Sequence, residues 1–318
     1  MSLLEIKELK LDFLVNDTSL RAVDGVSLHV EAGETVCLVG ESGCGKSVTA
    51  LSIARLVPAP PARYLGGEIL LYGRDVLRMS KAELCSIRGG VVSYVFQEPG
   101  ASLNPVFRVG AQIKESLKLH KPDKATDAEV LRLLKLVGIP APESRLKNYP
   151  FEMSGGMQQR VMIAMALASE PKLLVADEPT TALDVTIQAQ IMDLLRDLKQ
   201  RLGMAILLIT HNLGIVGDMA DRVAVMYAGQ IVELAPAREL LRRPLHPYTR
   251  ALMASVPKLS GGAERLTAIP GSVPRIGNFP PGCRVAPRCA IAKPECSEKI
   301  PELVEVEPQR WVRCPFWK

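Results

Sequence analysis

The stretch TVCLVGESGCGKS, residues 35–47, decides the fold of this chain. Its first five residues are mostly apolar, which predicts a short buried strand of a parallel sheet. The next eight residues match the pattern G-x-x-x-x-G-K-[ST], in which glycines let backbone amides turn toward phosphate oxygens at the beginning of a helix. Because strand, loop and helix follow in this order, the stretch predicts a nucleotide phosphate loop and not an incidental glycine turn.

Individual positions of the loop suit separate tasks. The ammonium group of Lys46 can reach the β- and γ-phosphates of a nucleotide, and the Ser47 hydroxyl can ligate Mg²⁺. Cys44 is interpreted as a small side chain that fits inside the loop. The residues expected to bind nucleotide here are Gly40, Ser42, Gly43, Cys44, Gly45, Lys46 and Ser47.

Length and composition limit the classes of protein to consider. The chain has 318 residues, of which 47% are apolar and 23% charged, so a sizeable core can form and disorder is not expected. This length suggests two domains, or one large domain with an appendage. The net charge is +5 without a basic cluster, and no nucleic-acid partner is expected.

The N-terminus and the apolar runs indicate the compartment. Glu5 and Glu8 stand where a secretion signal needs an apolar segment. No apolar run approaches the roughly 18 to 20 residues that a membrane span requires. We therefore expect a soluble intracellular chain. In a reducing cytosol, disulfides explain its seven cysteines poorly.

Apolar runs and helical spacing alternate along the chain. Their order, on both sides of a helical middle, predicts an α/β fold with an inserted α-helical subdomain. Beyond about residue 245 prolines become frequent, which predicts an irregular tail. The predicted strands cover residues 3–13, 26–30, 35–39, 68–72, 91–96, 172–176, 205–210 and 222–227. The predicted helices cover residues 46–57, 156–169 and 185–201, with helical spacing also over 108–138.

A second apolar strand ends in two carboxylates, within LLVADEP at residues 173–179. Such a strand can deliver Asp177 to the Mg²⁺ of the phosphate loop, and Glu178 is then placed to polarise an attacking water as general base. An Asp-Glu pair after a strand is by itself ordinary surface charge. Together with the phosphate loop, it predicts a nucleotide hydrolase.

The sequence MSGGMQQR, residues 153–160, narrows the class. It begins a predicted helix 23 residues before Asp177 and resembles the signature motif of ABC-type ATPases. The resemblance implies a P-loop, RecA-like core with an ABC β-subdomain and an inserted helical signature subdomain. It also implies that Ser154, Gly155 and Gly156 close over the nucleotide held by a second subunit.

Further motifs follow in the order of that family. Gln97 resembles the glutamine of the Q-loop, which touches Mg²⁺ and water, and Asp184 in ALD resembles the D-loop residue. His211 resembles the switch histidine that contacts the γ-phosphate. Phe13 lies 27 residues before Gly40, a spacing that suits the aromatic residue stacked on adenine. A core residue of a strand is an equal alternative for Phe13.

Three features resemble the branch of dipeptide, oligopeptide and nickel importers. The first is QEPGASLNP at residues 97–105, which resembles an extended Q-loop. The second is HPYTRAL at residues 246–252, followed by Val256 and Pro257, and the third is the group of cysteines near the C-terminus. Met157 replaces the commoner glutamine of the signature and is interpreted as a marker of this branch.

The resemblance implies a division of the chain into two domains. Residues 1–245 would form the ABC nucleotide-binding domain, with its helical subdomain at about 98–165. Residues 246–318 would form the C-terminal extension of the peptide importers, with the four cysteines in it.

Four of the seven cysteines lie within the last 36 residues, in the pattern C-x5-C-x6-C-x17-C. Four thiols suit tetrahedral zinc or an iron–sulfur cluster, and unpaired thiols remain an alternative. The family resemblance implies a [4Fe–4S] cluster with Zn²⁺ as the alternative, in a structural role. The expected ligands are Cys283, Cys289, Cys296 and Cys314.

The function implied is that of an ATP-hydrolysing subunit that powers import of di- and oligopeptides at the cytoplasmic face of the inner membrane. Its implied cofactors are ATP and Mg²⁺. Its implied partners are a homologous second ATPase, two permeases and an extracytoplasmic peptide-binding protein. An importer of nickel or another non-peptide substrate is the alternative. A DNA-associated ABC ATPase is remote, because only 113 residues lie between Gly40 and Ser154, too few for a long coiled coil.

Overall fold

The computed structural model describes residues 2–181, 183–255 and 268–318. Ala182, Val256 and Pro257, which belong to the motifs above, lie outside the described residues. The chain divides into two compact units, which we call the phosphate-loop unit and the signature unit. The phosphate-loop unit comprises Met1–Glu31, Thr35–Arg78 and Ile209–Lys318, and the signature unit comprises Ala32–Glu34 and Met79–Leu208.

Strands occur in both units. They are numbered in chain order over the described part of the sequence. The strands are β1 (Leu4–Val15), β2 (Thr18–Val30), β3 (Thr35–Val39), β4 (Ala62–Leu71), β5 (Arg74–Asp75), β6 (Val92–Val95), β7 (Leu173–Asp177), β8 (Ala205–Thr210), β9 (Arg222–Tyr227), β10 (Gln230–Pro236), β11 (Val304–Glu307) and β12 (Arg310–Val312).

Most helices of the middle of the chain belong to the signature unit. Short 3-10 turns occur at Val76–Arg78, Pro122–Lys124, Pro150–Glu152, Ala286–Arg288 and Pro294–Ser297. The α-helices are α1 (Lys46–Ser52), α2 (Lys81–Ile87), α3 (Pro99–Ser102), α4 (Val109–His120), α5 (Asp127–Leu136), α6 (Pro142–Arg145), α7 (Gly155–Leu167), α8 (Val185–Leu202), α9 (Leu213–Met219), α10 (Ala237–Arg242) and α11 (Pro247–Ala254).

The phosphate-loop unit contains an antiparallel sheet in the order β2-β1-β4-β5. Its other strands follow the order β11-β12-β10-β9-β3. β3 pairs in parallel with β9, in the register Val36 with Arg222. Every residue of β3 is buried, as expected for a parallel strand covered on both faces. This rigid strand fixes the start of the phosphate loop.

The signature unit combines parallel strands with a helical layer. β6 pairs in parallel with β7, in the register Val92 with Leu173. The helix α7 contacts α3, α4 and α5. Its inward side chains, among them Val161 and Ile163, are fully buried. The buried side chains of α7 therefore pack it against the other helices of this unit, and the predicted helical middle is confirmed.

The C-terminal tail is more regular than the sequence predicts. It contains the helix α11 and the strands β11 and β12. β12 pairs antiparallel with β10, with Glu233 opposite Val312. Strands this short carry little periodicity of their own, and they form because β10 offers an edge to pair with. Among the described residues, none of the helices is long and apolar enough to cross a membrane.

Candidate functional site

The phosphate loop leaves β3 and enters α1 at Lys46. Gly40 has φ +153°, and a Cβ there would lie 2.2 Å from the carbonyl oxygen of Met226. Gly45 has φ +106°, and a Cβ there would lie 2.8 Å from Cε of Met226. Both positions therefore require glycine, because the loop packs directly against Met226 near the end of β9.

Lys46 closes the loop on itself. Its ammonium group donates to the carbonyl oxygens of Gly40 at 2.8 Å and Glu41 at 2.9 Å. Ser47 is exposed, whereas Cys44 is buried, and burial raises the pKa of the Cys44 thiol. Ser42 and Gly43 are exposed as well. The loop thus turns polar groups outward and keeps Cys44 as a packing residue.

Two more predicted residues of the phosphate-loop unit lie at element ends or edges. Phe13 is half-buried on β1, opposite Leu20 of β2 and Ala62 of β4. His211 follows β8 directly and is exposed. Asn212 accepts a hydrogen bond from the Gly214 amide at 2.9 Å and begins α9. The histidine is therefore fixed between a buried strand and a capped helix.

In the signature unit, the carboxylates stand at the end of β7. Asp177 is its last residue, and Glu178 has φ +46°, a left-handed conformation uncommon outside glycine. Gln97 Nε2 donates to Glu178 Oε2 over 3.4 Å. Thr181 Oγ1 donates to the same oxygen at 2.9 Å. The structure brings the predicted Gln97 and Glu178 together and adds Thr181, which the sequence analysis missed although it stands three residues after Glu178.

The signature and D-loop motifs each begin a helix. The Ser154 hydroxyl accepts from the Met157 amide at 3.4 Å at the start of α7, and Asp184 accepts from the Ile187 amide at 3.0 Å at the start of α8. A Cβ on Gly156 would lie 2.8 Å from Cγ2 of Ile187. The two helix N-termini are therefore close neighbours.

Ser154, Gly155 and Asp184 are exposed at these helix N-termini. A helix N-terminus carries unpaired amides and a positive potential that favour anions. The signature and D-loop motifs therefore turn their helix N-termini toward solvent.

The four tail cysteines line one cavity of about 500 Å³ in the phosphate-loop unit. Val285, Phe316 and Trp317 contribute apolar walls. Burial raises the pKa of the thiols of Cys283, Cys289 and Cys314, and neighbouring tail thiols raise it further. Over the described ranges, no group of three or more His, Cys, Asp or Glu side chains is arranged to hold a metal ion.

A contact between the tail and the phosphate loop was not anticipated from the sequence. The Tyr248 hydroxyl accepts a hydrogen bond from the Glu41 amide at 3.1 Å. The Arg288 guanidinium donates to both oxygens of the Glu41 carboxylate, at 2.8 and 3.0 Å. Tyr248 belongs to the HPYTRAL motif, which in the sequence indicates the importer branch and not this contact.

Two family models match the chain. Residues 23–181 match the family described as ABC transporter. Residues 232–296 match the family described as the C-terminal region of oligopeptide/dipeptide transporters.

Curated relatives and solved structures agree with these matches. The probable peptide ABC transporter ATP-binding protein y4tR of Sinorhizobium fredii is 51% identical, over 98% of this chain and 94% of that protein. The oligopeptide transport ATP-binding protein AppD of Bacillus subtilis is 50% identical, over 98% of this chain and 96% of that protein.

Among solved structures, the dimeric ATP-binding cassette MJ0796 in a post-hydrolysis state with ADP and phosphate is 26% identical. The match has a TM-score of 0.65 and covers 74% of this chain and 99% of that chain. The predicted fold class and the predicted ATPase class are confirmed. The chain belongs to the ABC transporter ATPases, of the kind that carries the C-terminal region of oligopeptide/dipeptide transporters.

Proposed function

We propose that this chain is the ATP-hydrolysing subunit that powers import of di- and oligopeptides across the cytoplasmic membrane. One observation carries the proposal: an ABC cassette and the C-terminal region of oligopeptide/dipeptide transporters occur in one chain. Two relatives that are about 50% identical to this chain are described as peptide or oligopeptide transport ATP-binding proteins.

Nucleotide binding is assigned to the phosphate loop. The amides between Gly40 and Ser47 would hold the phosphates, Lys46 would contact the β- and γ-phosphates, and the Ser47 hydroxyl would ligate Mg²⁺. The present hydrogen bonds of Lys46 to loop carbonyls support this role, because they hold the ammonium group inside the loop. Phe13 is proposed to stack on adenine, and its half-buried position on β1 leaves part of the ring accessible.

Hydrolysis is assigned to the residues at the end of β7 and to two polar side chains. Asp177 would join the Mg²⁺ coordination, and Glu178 would act as general base on the attacking water. Gln97 would contact Mg²⁺ and water, and its hydrogen bond to Glu178 supports a shared task. His211 would contact the γ-phosphate. Most of the rate enhancement in such a site comes from positioning and charge stabilisation.

Two chains are needed to complete the proposed sites. Ser154, Gly155 and Gly156 would bind the γ-phosphate held by a partner ATPase, and Asp184 would bridge the two sites. The exposure of Ser154, Gly155 and Asp184 at two adjacent helix N-termini supports this role. A homologous second ATPase is the proposed partner, and closure of the pair over ATP would pull on the membrane subunits.

The remaining partners and the location follow from the importer function. We propose two permeases, an extracytoplasmic peptide-binding protein that acts through them, and a peripheral location on the cytoplasmic face of the inner membrane. We also propose that residues 1–245 form the nucleotide-binding domain, with a helical subdomain at about 98–165. Residues 246–318 would form the importer extension.

We propose that the four cysteines that line this cavity hold a polynuclear cluster. A [4Fe–4S] cluster is larger than a single ion and would be held by four cysteine thiolates. Four thiols that surround one cavity of about 500 Å³ with apolar walls supply that donor set. The residues that would hold the cluster are Cys283, Cys289, Cys296 and Cys314. When bound, the cluster would cross-link distant parts of the tail, and Zn²⁺ is the alternative occupant.

Anaerobic purification tests the cluster. We expect a brown protein with a broad visible absorbance, and about four iron and four sulfide per chain by analysis. Cys296→Ser should lower the iron content, whereas Cys85→Ser, at an exposed cysteine of the other unit, should not. A colourless protein with one zinc per chain would show that Zn²⁺, and not an iron–sulfur cluster, occupies the site.

Proteoliposomes that contain the chain, its partner ATPase, the permeases and the binding protein test the importer function. We expect ATP-dependent uptake of a labelled tripeptide, and no uptake when Lys46→Ala is substituted in this chain. Labelled Ni²⁺ serves as the competing substrate. Nickel uptake without peptide uptake would contradict the proposed substrate class.

A further inference from the structure

The tail segment between Cys283 and Cys289 connects two sites. Its cysteine ends line the cavity, and two arginines between them, Arg284 and Arg288, reach other parts of the phosphate-loop unit. Arg288 donates two hydrogen bonds to the Glu41 carboxylate, at 2.8 and 3.0 Å. The Arg288 side chain is 6% exposed. A bidentate arginine–carboxylate pair withdrawn from water combines strong attraction with defined geometry.

Glu41 belongs to the phosphate loop itself. Its carbonyl oxygen accepts a hydrogen bond from Lys46 Nζ at 2.9 Å, and its amide donates to the Tyr248 hydroxyl at 3.1 Å. The same residue is therefore bound to the phosphate-binding lysine on one side and to the tail on the other. Any displacement of Glu41 changes the surroundings of Lys46.

Arg284 provides a second connection from the tail. It donates to the carbonyl oxygen of Ala228 at 2.5 Å and pairs with Asp24. The amide of Gly229, the next residue, donates to the carbonyl oxygen of Cys44 in the phosphate loop at 2.8 Å. The segment between the two cysteines thus reaches the loop by two routes.

The charge of Glu41 makes its contact with Arg288 important for nucleotide binding. The loop is suited to bind a triphosphate, and a carboxylate beside it repels that anion unless a cation neutralises it. Arg288 supplies this cation, and the low exposure of its side chain limits screening by water and salt. Loss of Arg288 leaves the negative charge of Glu41, within the phosphate loop, without this cation.

We propose that Arg288 is a positioning residue for the phosphate loop, and that a filled cysteine cavity raises the affinity for ATP through the Arg288–Glu41 pair. The second part rests on the proposed cluster and the first does not. A cluster shared by Cys283 and Cys289 holds the segment at both ends and keeps Arg288 on Glu41. An emptied cavity loosens the pair. Linkage is reciprocal, so bound ATP retains the cluster by the same factor.

Nucleotide affinity tests the first part on the full-length chain, with a fluorescent ATP analogue as probe. Arg288→Ala is expected to weaken binding on the order of five- to tenfold. Adding Glu41→Gln restores affinity to within about twofold, because the two changes are coupled through one charge pair. Arg275→Ala, at an exposed tail arginine, is the matched control. Unchanged affinity in Arg288→Ala, or a loss that persists in the double variant, overturns the proposal.

Removal of iron with a chelator tests the second part. The affinity of the wild-type chain is expected to fall on the order of five- to tenfold, while that of the Arg288→Ala/Glu41→Gln chain stays constant. Equal affinities of the loaded and emptied wild type overturn the linkage. A chain purified without iron or zinc refutes the cluster and with it the linkage. The Arg288 measurements then still decide the first part, since they require no metal.

Discussion

Gln97 Nε2 lies 3.4 Å from Glu178 Oε2, and Thr181 Oγ1 lies 2.9 Å from the same oxygen. The Q-loop glutamine and the acidic residue after β7 therefore meet at one carboxylate oxygen, although 81 residues separate them in sequence. These two hydrogen bonds orient the carboxylate. Glu178 is the proposed proton acceptor, and the two donors hold its carboxylate in one orientation.

Glu178→Gln is expected to abolish turnover and to leave ATP binding intact. The glutamine amide cannot accept a proton from water. Loss of a general base commonly lowers a reaction rate by roughly 10²- to 10⁴-fold, and we expect a loss of ATP hydrolysis in that range. The measurements are ATP hydrolysis by the assembled complex and nucleotide affinity of the full-length chain. Glu143→Gln, in an exposed pair with Lys135, is the control and should hydrolyse normally. Near-normal ATP hydrolysis by the Glu178→Gln complex would contradict the assignment of Glu178 as general base.

Thr181→Val is expected to lower kcat roughly three- to tenfold with little change in KM. The substitution keeps the shape of the side chain but removes the hydroxyl that donates to Glu178 Oε2, a bond to a charged group that contributes about 1.5 to 3 kcal/mol at most. Thr181→Ser retains the donor and should retain the rate. Equal losses in both variants would show that the methyl group, not the hydroxyl, matters.

The parts of this site that the sequence predicts are those built from neighbours in the chain. β3, the loop and α1 form one continuous stretch, and β7 ends at Asp177 as its apolar run indicates. The Arg288–Glu41 pair spans 247 residues. No local periodicity marks two such residues as partners. Long-range side-chain contacts of this kind arise from packing of the folded chain, and one sequence alone does not specify them.

The short elements of the tail escaped prediction for a related reason. β12 has three residues, and it forms because β10 offers backbone groups to pair with. The buried carboxylate of Glu233 then accepts the amides of Leu245 and His246, both at 2.9 Å, which fixes the start of α11. These interactions depend on tertiary context, and a composition rich in proline only indicates that regular periodicity is weak.

Gly156→Ala is expected to destabilise the chain by about 1 to 3 kcal/mol. Its Cβ would lie 2.8 Å from Cγ2 of Ile187, so the starts of α7 and α8 must move apart. Gly155→Ala is the matched control, because its Cβ would meet only Leu183 at an ordinary 3.5 Å. Denaturant unfolding measures both.

Ile187→Ala removes the atom that clashes, so the double variant with Gly156→Ala should be more stable than the sum of the two single effects predicts. Strict additivity, or equal destabilisation by Gly155→Ala and Gly156→Ala, would contradict close contact between the two helix starts. The contact matters for function because both motifs at these helix starts are proposed to face the partner ATPase.

Acid should weaken the fold through His246. Burial lowers the pKa of His246 to about 3, and its Nδ1 accepts the Tyr248 amide at 3.0 Å at the start of α11. Because the folded pKa lies below the unfolded value of about 6.5, stability is complete above pH 6.5 and falls as the pH drops toward 3. Asparagine offers an acceptor oxygen at the place of Nδ1 without titrating, so His246→Asn isolates this group.

The difference in the free energy of unfolding between wild type and His246→Asn should be constant above pH 7. At pH 5 the wild type should lose about 2 kcal/mol of unfolding free energy relative to His246→Asn. The reason is that each pH unit below 6.5 costs the wild type about 1.4 kcal/mol for one proton. Burial raises the pKa of the nearby Glu233, which acts in the opposite direction, favouring the folded state in acid. Glu233 is present in both chains, so its contribution cancels in the comparison. A difference independent of pH between 7 and 5 would mean that His246 is not held neutral by burial.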